Sequence, residues 1–200
     1  MRSQARINNK ILSMVQFSIL TALVIVLQLI GAFIHIGPTS ISLVLLPIVL
    51  GGMLLGPAGG AGLGLIFGVM TLMAGVMATD PFTALLFQAQ PFATALICLG
   101  KGTLAGLCGG LVYRLVSKWK TWPALFASAA IVPIVNTGLF ILGGLLLVKD
   151  TLTANFVADG TTLLYFLVIG CAGLNFVFEF ILNLVVAPAL HRVIYTIKKH

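Results

Sequence analysis

LPIVLGGMLLGPAGGAGLGLIFG, residues 46 to 68, consists of two apolar runs separated by Gly56-Pro57 and contains no charged residue. Gly-Pro leaves room for only a tight turn, so the runs read as two consecutive helices. Within the second, Gly60, Gly64 and Gly68 recur every four residues and share one helical face. A face without side chains lets a neighbouring backbone approach closely, which is how helices gain contact where no hydrophobic force drives them together. Gly102, Gly106 and Gly110 repeat the pattern further along, so two glycine faces predict close helix packing within a membrane.

Composition leads to the same solvent. Of 200 residues, 60% are hydrophobic and 8% charged, and the mean hydropathy is +1.18. Soluble domains carry about 25% charged residues, so the chain is an integral membrane protein. Six apolar runs approach the length needed to cross the hydrocarbon: Ile11 to Ile34, Ile41 to Leu55, Ala58 to Ala78, Phe92 to Tyr113, Pro123 to Val148 and Leu163 to Leu190. The second is short. The expectation is an all-α six-helix membrane bundle, a single domain over residues 1–200 with no room for a soluble catalytic domain. The basic start of the chain precedes a run too long for a cleaved signal, so it reads as a retained first span.

An even number of spans puts both termini on one side, and basic residues choose the side, because they are retained in short cytoplasmic segments. Arg2, Arg6 and Lys10 precede the first span, Arg114, Lys118 and Lys120 follow the fourth, and Arg192, Lys198 and Lys199 follow the sixth. Asp80, Asp150 and Asp159 lie on the opposite face beside Lys149. Both termini are therefore expected in the cytoplasm. The net charge of +7 reports this topology rather than a nucleic-acid surface, since the cations are divided among three membrane-flanking segments.

Enzyme signatures are missing from the sequence: no GxxxxGK[ST], HExxH or GxSxG occurs, and His35, His191 and His200 lie at span boundaries. Cys98, Cys108 and Cys171 fall inside apolar runs, with neither a disulfide pattern nor a metal spacing. The reading is of a non-enzyme without cofactor or metal.

Lys101 and Glu179 are the ionisable residues that topology leaves unexplained. Each is costly in hydrocarbon, by about 2.5–3.5 kcal/mol for such a group at the helix centre on insertion scales, so each should face the interior, a partner or water. Both lie thirteen residues before a cytoplasmic arginine, Arg114 and Arg192 respectively, which places both roughly 20 Å above that boundary. The same counting puts Asn136 and Asn175 at about 24 and 26 Å. In GLNFVFEFILN, residues 173 to 183, Asn175, Glu179 and Asn183 share a helical face, so Asn175 and Glu179 can point into one site while Asn183 sits a turn deeper. Three readings compete for this layer: an ion pair that fixes helix register, a pocket for a small polar anion, and a proton or ion relay. The pocket is preferred. Gln88 and Gln90 add polar groups to an apolar outer segment, TDPFTALLFQAQPF, that reads as a lid, with Phe82, Phe87 and Phe92 as its apolar face.

The stretch quoted first, KGTLAGLCGGLVYRL (101–115), PIVNTGLF (133–140) and NFVFEFILNLVVAP (175–188), taken with six spans in 200 residues, resembles the substrate-binding S components of energy-coupling factor (ECF) vitamin transporters. The resemblance implies capture of a vitamin or related micronutrient from outside, in the plasma membrane of a prokaryote, by a multi-pass protein that docks onto a transmembrane coupling subunit with two ATPases. Pantothenate is the best-matched substrate type. An Ala-x-x-x-Ala docking motif common in the family is approximated here by Ser18-x-x-x-Ala22. On this reading Lys101 holds the anionic group, Asn136 and Asn175 pair with amide or hydroxyl groups, Glu179 accepts hydrogen bonds or positions Lys101, and the segment of Gln88 and Gln90 closes above. The sparse aromatic content of the spans near this layer argues against flat, ring-rich ligands. The alternative is a self-sufficient proton-coupled transporter of a small organic anion that uses Glu179.

Overall fold

A computed structural model describes residues 2–36, 39–40, 42–157 and 161–199. Helix α1 runs over Arg2–Gly31 and is followed by a two-residue antiparallel pairing of β1 (His35–Ile36) with β2 (Thr39–Ser40). Then come α2 (Leu45–Leu54), α3 (Gly56–Val76), α4 (Pro81–Ala89), α5 (Pro91–Val116), α6 (Thr121–Leu146) and α7 (Lys149–Phe156). A final continuous rod consists of α8 (Leu163–Tyr165), a π-helix (Phe166–Gly173) and α9 (Leu174–Lys199).

Among the described residues, five helices are long and apolar enough to cross a membrane: Lys10–Gly31, Gly56–Val76, Pro91–Val116, Thr121–Leu146 and Leu163–Ala189. The second apolar run does not reach that length. Its helix α2 has 10 residues, a rise of about 15 Å, half of the roughly 30 Å of hydrocarbon. Gly56 explains where α2 stops: its φ of 81° belongs to the left-handed region that glycine occupies without strain, and Pro57 then starts α3.

The two glycine faces meet. A methyl group on Gly64 would collide with the Gly102 carbonyl oxygen and lie 2.6 Å from its carbonyl carbon, and one on Gly68 would lie 2.6 Å from the Cys98 carbonyl oxygen. Gly60 and Gly106 oppose each other in the same way, and a Cβ on Gly52 of α2 would lie 2.9 Å from the Gly110 amide nitrogen. Backbone therefore packs on backbone along the length of α3 and α5. The larger apolar cluster forms around this seam, from Val44, Leu45, Ile48, Leu63, Phe67, Leu125 and Val132 among others. A smaller one forms at the end where α4 and α7 meet, around Phe82, Leu86, Val148, Leu152 and Leu167. Helix α1 stays peripheral, with Met14, Ile19, Leu23 and Val26 exposed, and Ser18 and Ala22 lie on its exposed surface.

Gly64→Ala should lower stability by about 1–3 kcal/mol, because neither neighbouring backbone can yield. Gly100 has open space where its Cβ would be, so Gly100→Ala should be neutral or stabilising by up to about 1 kcal/mol. Thermal unfolding of the two variants in detergent provides the comparison; equal melting temperatures would show that the seam is not tightly packed.

Candidate functional site

Gly102 fixes the position of its neighbour. With Gly102 against Gly64, Lys101 is held at the edge of the α3–α5 seam, where its side chain enters the space between the two apolar clusters. Its Nζ lies 5.6 Å from the ring centroid of Phe67, in the larger cluster, and 5.4 Å from that of Phe140, which packs on the smaller. Two ring faces thus take the place of water around the ammonium, at about 0.5–2 kcal/mol each. Phe140 leads on to the short helices α4 and α7, since Phe82 of α4 is 6.0 Å from it and 5.3 Å from Phe156 of α7, which stacks on Phe166 at 5.2 Å.

On one side of Lys101 is a cavity of about 60 Å³. Lys101, Asn136, Asn175 and Glu179 line it together with Ser42, Thr137, Phe140, Cys171, Ala172 and Phe176. The four residues selected by depth counting therefore converge. Asn136, 5% exposed, has its Oδ1 buried and without a hydrogen-bond partner among the described residues. Such an oxygen costs roughly 1–3 kcal/mol until something donates to it. Pro133, one turn before Asn136, removes a backbone hydrogen bond from this part of α6. Glu179 is 4% exposed, and its Oε1 accepts a hydrogen bond from the Ser42 amide at 3.0 Å. Lys101 and Glu179 line the same cavity, and among the described residues no ion pair at 4.0 Å or less joins them. Asn183 sits a turn deeper, as its spacing requires, and donates its Nδ2 to the Glu179 carbonyl at 2.8 Å rather than lining the cavity.

The other candidates lie elsewhere. Gln88 is exposed, and Gln90 donates its Nε2 to Thr151 Oγ1 of α7 at 3.5 Å, so neither lines this cavity. The segment that bears them does lie over the bundle: α4 buries Phe82, Thr83, Ala84 and Leu86. Phe92 takes no part in that face, being 93% exposed. Two aromatic residues, Phe140 and Phe176, line the cavity.

Sequence reasoning missed Ser42, Thr137, Phe140 and the π-helix. Phe140 was within reach, since it follows Asn136 by four residues and shares its helical face. The π-helix, in which each amide bonds five residues back, presents Cys171 and Ala172 to the cavity and leads directly into Asn175. Its glycines, Gly170 and Gly173, gave only a weak sign of irregularity. Ser42 contributes through its backbone amide, which no side-chain pattern reveals. No group of three or more metal-ligating side chains occurs among the described residues.

The family model for the ECF transporter substrate-specific component matches residues 12–191, nearly the whole chain. The chain belongs to this family. No individually curated protein matches it. As an S component it is a multi-pass membrane protein and the substrate-binding subunit of an ECF importer, a transporter subunit whose family associates with a coupling module and a small-molecule substrate.

A hydrogen bond such as that from Ser42 to Glu179 is worth about 1 kcal/mol or more. In Glu179→Ala, amide exchange at Ser42 should accelerate roughly fivefold or more, whereas Glu179→Gln, which keeps an acceptor oxygen, should change it less. Hydrogen exchange read by mass spectrometry decides this; equal acceleration in both variants would mean that the contact requires the carboxyl group.

Proposed function

We propose that this S component captures a vitamin or related micronutrient, with pantothenate as the best candidate, in the cavity beside Lys101, and delivers it with a transmembrane coupling subunit and two ATPases. The observation that carries the proposal is the buried, unpartnered Asn136 carboxamide oxygen facing the same cavity as the Lys101 ammonium. An arrangement that offers a cation, two carboxamides and a carboxyl in one cavity has polar capacity that the chain itself leaves partly unused. A molecule with a negative group and amide or hydroxyl groups matches it, and pantothenate carries all three. In this reading Lys101 leaves its aromatic faces to hold the carboxylate, Asn136 and Asn175 pair with amide and hydroxyl groups, and Glu179 accepts hydrogen bonds while retaining the Ser42 amide. Gln88 and Gln90 belong to the covering α4 segment, which Gln90 ties to α7.

The same proposal places both termini in the cytoplasm, with six membrane segments, α2 crossing only together with the residues flanking it, in a prokaryotic plasma membrane. The distribution of basic residues supports the orientation. The exposed Ser18 and Ala22 of α1 form the docking face for the coupling subunit, consistent with how little of α1 the rest of the chain covers.

Small molecules released from the detergent-purified protein, identified by mass spectrometry, provide the test. The parent should retain a single vitamin-like anion, and Lys101→Ala combined with Asn136→Ala should weaken its binding at least about thirtyfold, since the charged hydrogen bond of Lys101 contributes roughly 1.5–3 kcal/mol and the neutral one of Asn136 roughly 0.5–1.5 kcal/mol. Equal retention by both proteins would place the site elsewhere. Uptake into vesicles by this chain alone, abolished by Glu179→Gln and by an uncoupler, would favour proton coupling instead.

A further inference from the structure

A second cavity, of about 30 Å³, lies on the other side of Lys101, and Lys101 and Phe140 line both. Its wall is apolar, formed by Phe82 and Leu86 of α4, Ile97 of α5, Val148, and Leu152 of α7. Three threonines also face it, but each hydroxyl hydrogen is already committed: Thr71 Oγ1 donates to the Phe67 carbonyl at 3.0 Å, Thr83 to Asp80 Oδ2 at 2.6 Å, and Thr94 to the Gln90 carbonyl at 2.9 Å. This chamber therefore offers hydrocarbon and hydroxyl lone pairs, with Lys101 as its sole cation among the described residues. It can receive an apolar group flanked by hydroxyl donors, and it has nothing for a carboxylate beyond the lysine at its edge.

Size completes the case. Pockets that hold small organic ligands measure about 300–1,000 Å³, so neither chamber accommodates a vitamin-sized molecule as it stands. The glycine seam cannot widen without loss of backbone packing. What divides the chambers is softer, namely one unbranched lysine side chain held by two ring faces and one half-buried phenylalanine.

We infer that the two cavities are halves of one substrate site, divided by the Lys101–Phe140 partition, and that the substrate is a two-part molecule with an anionic, hydrogen-bonding end for the first chamber and a compact branched hydrocarbon end for the second. The inference rests on the proposed binding role of the first chamber. Displacing the partition joins the chambers, and the aromatic contact from Phe140 to Phe82 carries that displacement to α4, whose lifting supplies the remaining volume. Pantothenate, with a carboxylate and amide at one end and a dimethyl carbon between two hydroxyl-bearing carbons at the other, has this form.

Each chamber contains a native reporter, Cys171 in the first and Cys98 in the second. The full chain in lipid nanodiscs, with Cys108→Ala throughout, is prepared with either Cys98→Ala or Cys171→Ala and treated with anionic 2-sulfonatoethyl methanethiosulfonate. This charged reagent does not enter through hydrocarbon. Phe140→Ala should accelerate modification of Cys98 roughly tenfold more than that of Cys171, whose chamber is open to the reagent whether or not the partition stands, and Phe140→Trp should slow Cys98; an unchanged melting temperature reports correct folding of each variant. A Cys98 rate indifferent to both substitutions, including no modification at all, would overturn the inference. Saturating pantothenate then separates the two claims. Protection of both thiols supports both. Protection of Cys171 alone keeps the binding reading and removes the second chamber from the site. Protection of neither, with the Phe140 response intact, removes pantothenate and leaves the joined chambers standing.

Discussion

The contact between the backbones of α3 and α5 is the constraint on which the rest of this protein depends. Gly60, Gly64 and Gly68 meet Gly102, Gly106 and the Cys98 carbonyl with no side chain between them. In hydrocarbon, apolar side chains gain no hydrophobic energy by leaving lipid for one another, so association relies on van der Waals contact and close approach. The seam provides both, and it leaves the adjacent α5 residues little freedom to rotate. Lys101 precedes Gly102, so the packing that joins the helices also aims the ammonium.

From that fixed point the site is a gap between two apolar clusters. Phe67 belongs to the larger, Phe140 packs on the smaller, and Lys101 bridges them through both rings. A cation held by aromatic faces is stable enough to stay in place without a carboxylate partner, and it can still be recruited by an anion. Glu179, occupied by the Ser42 amide, is spared from pairing with Lys101. In the proposed site that separation leaves a cation to offer, whereas a closed ion pair would act as a structural bolt.

The short helices α4 and α7 belong to this arrangement through aromatic contacts more than hydrogen bonds. Phe140, Phe82, Phe156 and Phe166 touch in succession, from α6 through α4 and α7 to the π-helix, while the Gln90–Thr151 hydrogen bond at 3.5 Å is long. Ring contacts tolerate sliding better than directional bonds do.

The sequence by itself determined the solvent, the approximate helices and the depth of each polar group, because hydropathy, glycine spacing and a rise of 1.5 Å per residue are properties of single segments. Counting back from Arg114 and Arg192 was enough to bring Lys101, Asn136, Asn175 and Glu179 to one level. It located the end of α2 at Gly56-Pro57 but began the run at Ile41, four residues before the helix starts at Leu45, and it treated residues 166–173 as ordinary helix. What only the tertiary structure decided was direction: that Lys101 faces Phe67 and Phe140 rather than Glu179, that Gln90 faces Thr151, and that a backbone amide at Ser42 reaches a carboxyl 137 positions away. Depth follows from distance along one helix, whereas facing depends on how several helices are rotated against one another, and that is fixed by the close packing of all of them together.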